Sequence, residues 1–442
     1  MGTSEGNASN PPPPTTSSAT PPPKTGGRRT IAIAVAVVII LAAIGGGVYY
    51  YYSTQSTSSS NNFVVGVVGP LTGALGPAGT PWADGVTVWA NAMNAQGGVL
   101  YNGQKMHVVV KVFDDQSNPT QAVQLVTQAV QGDHVDMLIT GFLTPDTDAI
   151  ASTIQSLQIP IVANAADDPE FHTGNPYLNS IYPTTAQQMQ SFANFFNGLN
   201  PVPTNISTLY ANEEAMISLL GTTVQLMGPS YHVDYNATYN PNTLTSASAQ
   251  SYLLNANVSG LNMLMVSDEY PTNVITWVQA MKALNIRPPI IFSEDMWDAP
   301  FFISQLGAVA NGLIGQDNWA ANMTKAEASG QYTNATYWFQ QVNGTFGNSI
   351  AINQLPYQAI MACEVQLAAI QKAGATTGPV VAADLRALNM STVDGRFVAN
   401  QFGLDIARGP FVIQVQNGEP VIIAPAQFAT ATPIYPLSST WP

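Results

Sequence analysis

Cysteine is nearly absent. The 442 residues contain one, Cys363, which excludes a disulfide framework, a Cys-type zinc centre and a redox-active cysteine pair; in an apolar helical pattern it is expected in the core. Charge is scarce as well, at 9% of residues, against about a quarter in ordinary globular chains. Twelve Lys and Arg face 26 Asp and Glu, for a net charge of −14. From Val112 to Met281 there is no Lys or Arg at all, alongside 14 Asp or Glu. Neutralising phosphates takes clustered basic side chains, so that stretch excludes nucleic acid as a partner. Also missing are a Gly-rich phosphate loop ending in Lys, a Gly-x-Ser-x-Gly elbow and His-Glu-x-x-His. The histidines His107, His134, His172 and His232 lack pair spacing. No enzyme activity, cofactor or metal centre is expected.

What is present begins with a long apolar run. Residues 1–29, rich in Pro, Ser and Thr, cannot bury apolar area and are expected to be disordered. They end in Lys24, Arg28 and Arg29, and Ile31 to Val48 then lacks any polar side chain before Tyr49 to Tyr52. At about 1.5 Å per residue, residues 30–52 cover roughly 35 Å, enough for a single transmembrane helix with tyrosines at the interface. The positive-inside rule places residues 1–29 in the cytoplasm and everything after Ser53 outside. A cleaved secretion signal is the alternative, although its apolar core is usually about 7 to 15 residues. Residues 53–62 (STQSTSSSNN) form a flexible tether.

From Phe63 the pattern alternates strand and helix. Apolar strands are expected at Phe63 to Val68, Met106 to Phe113, Val135 to Thr140 and Ile159 to Ala163, with helices at Trp82 to Ala95, Thr120 to Val130 and Ala149 to Leu157. A second run places strands at Ser207 to Tyr210, Asn262 to Val266, Pro288 to Phe292 and Gly312 to Gly315, with helices from Glu213 and over Asn273 to Leu284. Long helices follow at Ala328 to Val342 and Pro356 to Lys372, then a hairpin around Asn417 and Gly418. Apolar strands separated by amphipathic helices predict α/β architecture with parallel sheets covered on both faces.

Acidic pairs follow many of these strands: Asp114 and Asp115, Asp167 and Asp168, Glu213 and Glu214, Asp268 and Glu269, Glu294 and Asp295. Helix and turn capping accounts for most such pairs. Those that converge on a crevice suit a ligand carrying an ammonium group, such as an amino acid, or else a metal ion. A surface so poor in charge is expected to have a stability that depends little on titration, as suits an acidic exterior.

The segments VVGPLTGALGPAGTPWADGVTVWANAMNAQGGV, VFDDQSNPTQAVQLVTQAV, VDMLITG and IPIVANAADDPEF, followed by IIFSEDMWDAPFF, LAAIQKAG and GPFVIQVQNGE, resemble in their order and spacing the leucine/isoleucine/valine-binding proteins. These are solute receptors of branched-chain amino acid ABC importers. The resemblance implies two Rossmann-like lobes joined by a three-crossover hinge that closes over a small solute, with residues 63–183 and 316–397 in one lobe and 184–315 and 398–442 in the other. It implies an ABC permease and its ATPase as partners and an amino acid as solute, and departures from the family's pattern at its binding positions extend the expected solutes to an amide, a peptide fragment or a cationic compound. A structural or sensory cell-surface protein on the same fold is the alternative.

Carried over by position, Glu294 falls where the family's second lobe holds the ligand ammonium. The family's first-lobe serine falls on Pro145, leaving Thr144 or Thr147 to supply a hydroxyl. Asp167 stands at a threonine position, Met216 near an aromatic one, Ala165 offers backbone groups and Tyr270 its ring. A carboxylate at Asp167 beside a ligand carboxylate costs about 1 kcal/mol or more unless it is protonated or turned away.

Overall fold

The β-branched run Asn62–Gly69 (β1) lies between other strands, buried on both faces as its apolar sequence requires. Its position comes from a computed structural model that describes residues 62–442 apart from 168, 257–262, 269, 296–298, 408, 438–440 and 442. The expected tail, the apolar segment 30–52 and the tether up to residue 61 lie outside the described residues. Among the described residues no helix is long and apolar enough to cross a membrane.

Val99–Tyr101 (β2) turns through Asn102 and Gly103, at φ of 48° and 79°, into Gln104–Asp114 (β3) and pairs antiparallel with it. β3 and Met137–Ile139 (β4) flank β1 in parallel, giving the order β2-β3-β1-β4. Ile161–Ala163 (β5) and Leu178–Ser180 (β6) form a parallel pair, linked to the end of β4 by a bridge from Phe142 to Asn164.

The second sheet contains Asn205–Ala211 (β7), His232–Tyr239 (β8), Met263–Ser267 (β9), Ile291–Asp295 (β10) and Ile314–Asp317 (β11), all parallel. A separate hairpin of Asn389–Thr392 (β12) and Gly395–Val398 (β13) follows. Phe411–Gln416 (β14) and Glu419–Ala424 (β15) then complete the second sheet, in the order β15-β14-β11-β10-β9-β7-β8.

Both main sheets are mixed, which corrects the expectation of parallel ones. Tight turns at Asn102 and Gly103 and at Asn417 and Gly418, all at positive φ, return the chain antiparallel. The helix expected over Ala328 to Val342 is two, Thr324–Ala328 and Ala335–Phe346, with Gly330 and Asn334 at positive φ between them. The boundary expected at 315/316 falls inside β11, where Gln316 and Asp317 pair with Val412 and Phe411 of β14.

Chain path decides where the sheets adjoin. After β6 the chain leaves the first sheet for the helix Thr185–Asn197, which packs on the helix Glu214–Met227 that follows β7. After β11 it returns to the helix Leu355–Ala373, which lies against Gly76–Ala95. That packing needs Gly85, because a Cβ there would sit 2.2 Å from the Pro356 carbonyl oxygen. After β13 it crosses a third time to β14. Polar contacts tie the crossings together. Gln358 Nε2 donates to the Tyr182 hydroxyl at 3.0 Å and the Asp405 N–H to the Tyr182 carbonyl at 2.9 Å. The Asn318 N–H donates to Gln354 Oε1 at 3.0 Å, and Trp319 stacks on Tyr357 with ring centroids 3.6 Å apart.

Candidate functional site

Ligands of open parallel sheets bind beyond the carboxyl ends of the strands. β6 and β11 end at crossings, so the carboxyl edges of the two sheets adjoin there.

On the first edge, the Asp114 carboxylate accepts from the N–H groups of Leu71, Thr72 and Gln116 and from the Thr72 hydroxyl. Asp115 Oδ1 accepts from the Ser117 N–H at 2.9 Å. These bonds hold Gln116 and Ser117 at φ of 60° and 61°, and Leu143, just past β4, is at 64°. Each such non-glycine residue stores on the order of 1 kcal/mol or more. The helix Leu143–Leu157 starts there, and helical Cα–Cβ bonds tilt toward the N-terminus, so its first-turn side chains lean toward the crevice.

Four oxygens on this edge, Asp115 Oδ2, Thr144 Oγ1, Asp146 Oδ2 and Asn164 Oδ1, are buried without a hydrogen-bond partner. Burial, reinforced by the charge of Asp115, pushes the Asp146 carboxyl up to about 8. Burial also raises Asp115, to about 6, against the opposing pull of the Ser117 N–H.

The second edge is better satisfied. Asp268, buried just past β9, accepts from the Tyr239 hydroxyl at 2.6 Å, Asn273 Nδ2 at 2.9 Å and the Tyr270 N–H at 2.7 Å. Burial still raises it to about 6. Beside it, at the end of β7, Glu213 keeps Oε2 buried without a partner, and burial with the charge of Asp268 lifts it to about 7. Tyr239 is driven well above its ordinary value by burial and by Asp268.

The residues expected from the sequence divide accordingly. Thr144 stands on the first edge and Tyr270 on the second. Thr147 is fully buried and donates its hydroxyl to the Leu143 carbonyl at 2.7 Å, within its own helix. Ala165 is buried and its carbonyl accepts from the Ser180 hydroxyl. Asp167 is turned to the first crossing, where its two oxygens meet His172 Nε2 at 2.7 Å and the Thr185 N–H at 3.3 Å. Met216 is a core residue whose sulfur accepts from the Ser267 hydroxyl at 3.2 Å. The backbone of Glu294 lies in β10 beside β9, and its side chain lies outside the described residues.

Sequence reasoning missed Asp146, Asn164 and Tyr239. The apolar periodicity begins only at Ala149, which left Asp146 in a loop, although an acid just after Thr144 and Pro145 is a first-turn signal. Tyr239 ends a strand too polar to be recognised. No group of three or more His, Cys, Asp or Glu among the described residues could hold a metal ion.

A family model described as periplasmic binding protein matches residues 63–419. Among solved structures, the branched-chain amino acid substrate-binding protein LivJ of Streptococcus pneumoniae, in complex with isoleucine, is similar at 14% identity and a TM-score of 0.70, over 81% of this chain and 97% of that one. The leucine-binding protein LivK of Thermotoga maritima follows at 16% identity and 0.68, over 82% and 97%. A solute-binding protein of R. palustris, in complex with benzoate, follows at 15% and 0.66, over 84% and 98%. At such identities the likeness speaks for the fold, and the family match spans most of the sequence: the chain belongs to the periplasmic binding protein family, whose members bind substrates rather than transform them.

Proposed function

We propose that the chain is the solute receptor of an ABC importer and holds a small amine-bearing polar solute, an amino acid or a related amide, between two lobes that close about the three crossings. The observation that carries this reading is the second edge, where Glu213 presents a buried unpartnered oxygen beside Asp268, with Glu294 on the neighbouring strand. An ammonium group supplies the missing donors. Thr144 and the Ala165 backbone face the solute from the first edge, Tyr270 packs its ring on it, and Met216 and Asp167 support from behind.

The lobes are divided by the crossings, with residues 63–183 and the chain from the end of β11 through β13 in the first and the rest in the second. The segment 30–52 anchors the receptor, with residues 1–29 in the cytoplasm and the binding unit outside, where a permease and its ATPase receive the solute.

Calorimetric titration of the full chain in detergent with amino acids, amides and amines tests the receptor. Binding of at least one class, weakened about tenfold or more by Glu294→Gln, is expected; no binding of any class overturns the reading. Alkaline extraction of membranes tests the anchor, and release of the chain into the supernatant counts against it.

A further inference from the structure

We propose that Asp115, Thr144, Asp146 and Asn164, at the carboxyl edge of the first sheet, form a second cation subsite, so that the solute is a small linear dication such as a diamine. This rests on the receptor reading and names its substrate class. All four residues are more than nine-tenths buried, at 1%, 8%, 4% and 3% exposure, and each holds an oxygen with no hydrogen-bond partner. Adjacency is built into the fold: the Leu143 N–H donates to the Asn164 carbonyl at 2.9 Å, and the charge of Asp115 acts on Asp146. The Thr144 hydroxyl, the Asn164 amide nitrogen and a protonated carboxyl can donate, yet four oxygens of the set remain without a donor.

Few charged donors of the chain lie near these residues in sequence. No Lys or Arg occurs from Val112 to Met281, and Lys111 is paired with Asp133 at 2.7 Å. Two carboxyl groups fall short of a metal site, and no larger group exists among the described residues. A ligand carboxylate would meet two carboxyl groups here. The positive end of the helix Leu143–Leu157 opposes a cation with only about half a charge. An ammonium or guanidinium group brings several N–H donors and a charge that both carboxylates favour. With the ammonium site proposed on the second edge, each of the two edges then takes one positive group.

A consequence separates this reading from capture of a carboxylate. Burial keeps Asp146 largely protonated at neutral pH, and a bound cation ionises it, so a proton leaves as the ligand enters. The groups around it are Asp115, from the turn after β3, and the exposed Asp148 on its own helix. The neighbouring helix Pro119–Thr127 and the strands β4 and β5 carry no titratable side chain.

The test is calorimetric titration of the full chain with 1,4-diaminobutane, 1-aminobutane and leucine, in buffers of different ionisation heat at pH 7. The diamine is expected to bind at least about tenfold tighter than either other probe and to release a proton. Asp146→Asn is expected to lower diamine affinity about tenfold or more and abolish the release. Thr144→Val, which keeps the shape of the side chain, should weaken the diamine in the same direction if the first variant does not fold. Leucine binding as tightly as the diamine, or diamine binding unchanged in both variants, overturns this assignment and leaves the receptor standing; no binding by any probe class overturns both.

Discussion

Asp146 and Asp268 occupy comparable places, each just past a parallel strand at the carboxyl edge of its sheet, and each is nearly inaccessible to water. Asp268 is held by a hydroxyl, an amide and a backbone N–H, whereas Asp146 keeps an oxygen unpartnered. Their acidities follow, about 6 against about 8. The first edge also carries the strained residues Gln116, Ser117 and Leu143. Strain and unsatisfied acceptors persist only where the surrounding structure holds them. Asp268 is therefore complete in itself, whereas Asp146, like Glu213 beside Asp268, is complete only with a donor brought from outside.

The largest way to probe this difference is pH. Seven carboxyls, Asp84, Asp115, Asp136, Asp146, Glu213, Asp268 and Glu364, are raised by burial, and none of them is in an ion pair among the described residues. A carboxyl raised in the folded state contributes stability that is fully present below its unfolded pKa and is lost as pH rises through the folded one. The window here runs from about 4 to 8, and for Asp146 each unit within it counts on the order of 1 kcal/mol. Low charge alone led to an expectation of little dependence on titration; burial of these few acids makes acid the stabilising side. Thermal unfolding should show a clearly higher midpoint at pH 5 than at pH 8. A flat profile, or a fall at pH 5, breaks the account.

The next effect acts on the first edge alone. Gly141 makes the turn from β4 toward the helix at φ 77°, and a Cβ there would lie 2.8 Å from that of Ala163. Gly141→Ala should cost about 2–4 kcal/mol in urea unfolding from backbone strain and overpacking together. A loss under about 1 kcal/mol would mean that the edge is pliable rather than held.

What the sequence allowed to be read divides along the same line. Strand and helix alternation was legible because β4 and β5 are apolar throughout and β1 and β9 nearly so, and the hairpin because Asn417 and Gly418 mark its turn. β8, with its exposed polar residues, was not legible, since an edge strand carries little apolar signal. Of the site, the acid after β9 was visible as a type of residue in a type of place. Whether an acid is satisfied was not, because the donors to Asp268 come from three separate positions, Tyr239, Tyr270 and Asn273. Asp167 makes the same point, as its partners His172 and Thr185 emerge only from the path of the first crossing.

The comparison itself is sharpened by a pair of substitutions with opposite expected signs. Asp268→Ala leaves the Tyr239 hydroxyl, Asn273 amide and Tyr270 N–H without their acceptor and should cost about 2–3 kcal/mol. Asp146→Asn removes a group whose ionisation the fold suppresses and should stabilise by about 1 kcal/mol at pH 7, more as pH rises. Urea unfolding of both at pH 7 and 8 decides. If Asp146→Asn destabilises as much as Asp268→Ala, the first edge is satisfied in a way its geometry does not reveal.

The smallest effect bears on whether the two halves act as one unit. Each has an N-capped helix of similar kind. Asn118 accepts from the Thr120 and Gln121 N–H groups at the start of Pro119–Thr127, while Thr245 and Ser248 form a reciprocal capping box on Ser246–Asn255. Removing either cap, by Asn118→Ala or Thr245→Ala, should cost about 1 kcal/mol. The contacts among Tyr182, Gln354, Gln358, Asn318 and Asp405 join the crossings on both sides. If they couple the halves, each substitution lowers one shared thermal transition by a similar amount. Two transitions, each shifted by only one of the substitutions, would mean that the edges differ because they belong to separately folding bodies. In that case the pH dependence should also divide, with the larger alkaline loss in the transition that Asn118→Ala shifts, since Asp146 and Asp115 titrate there.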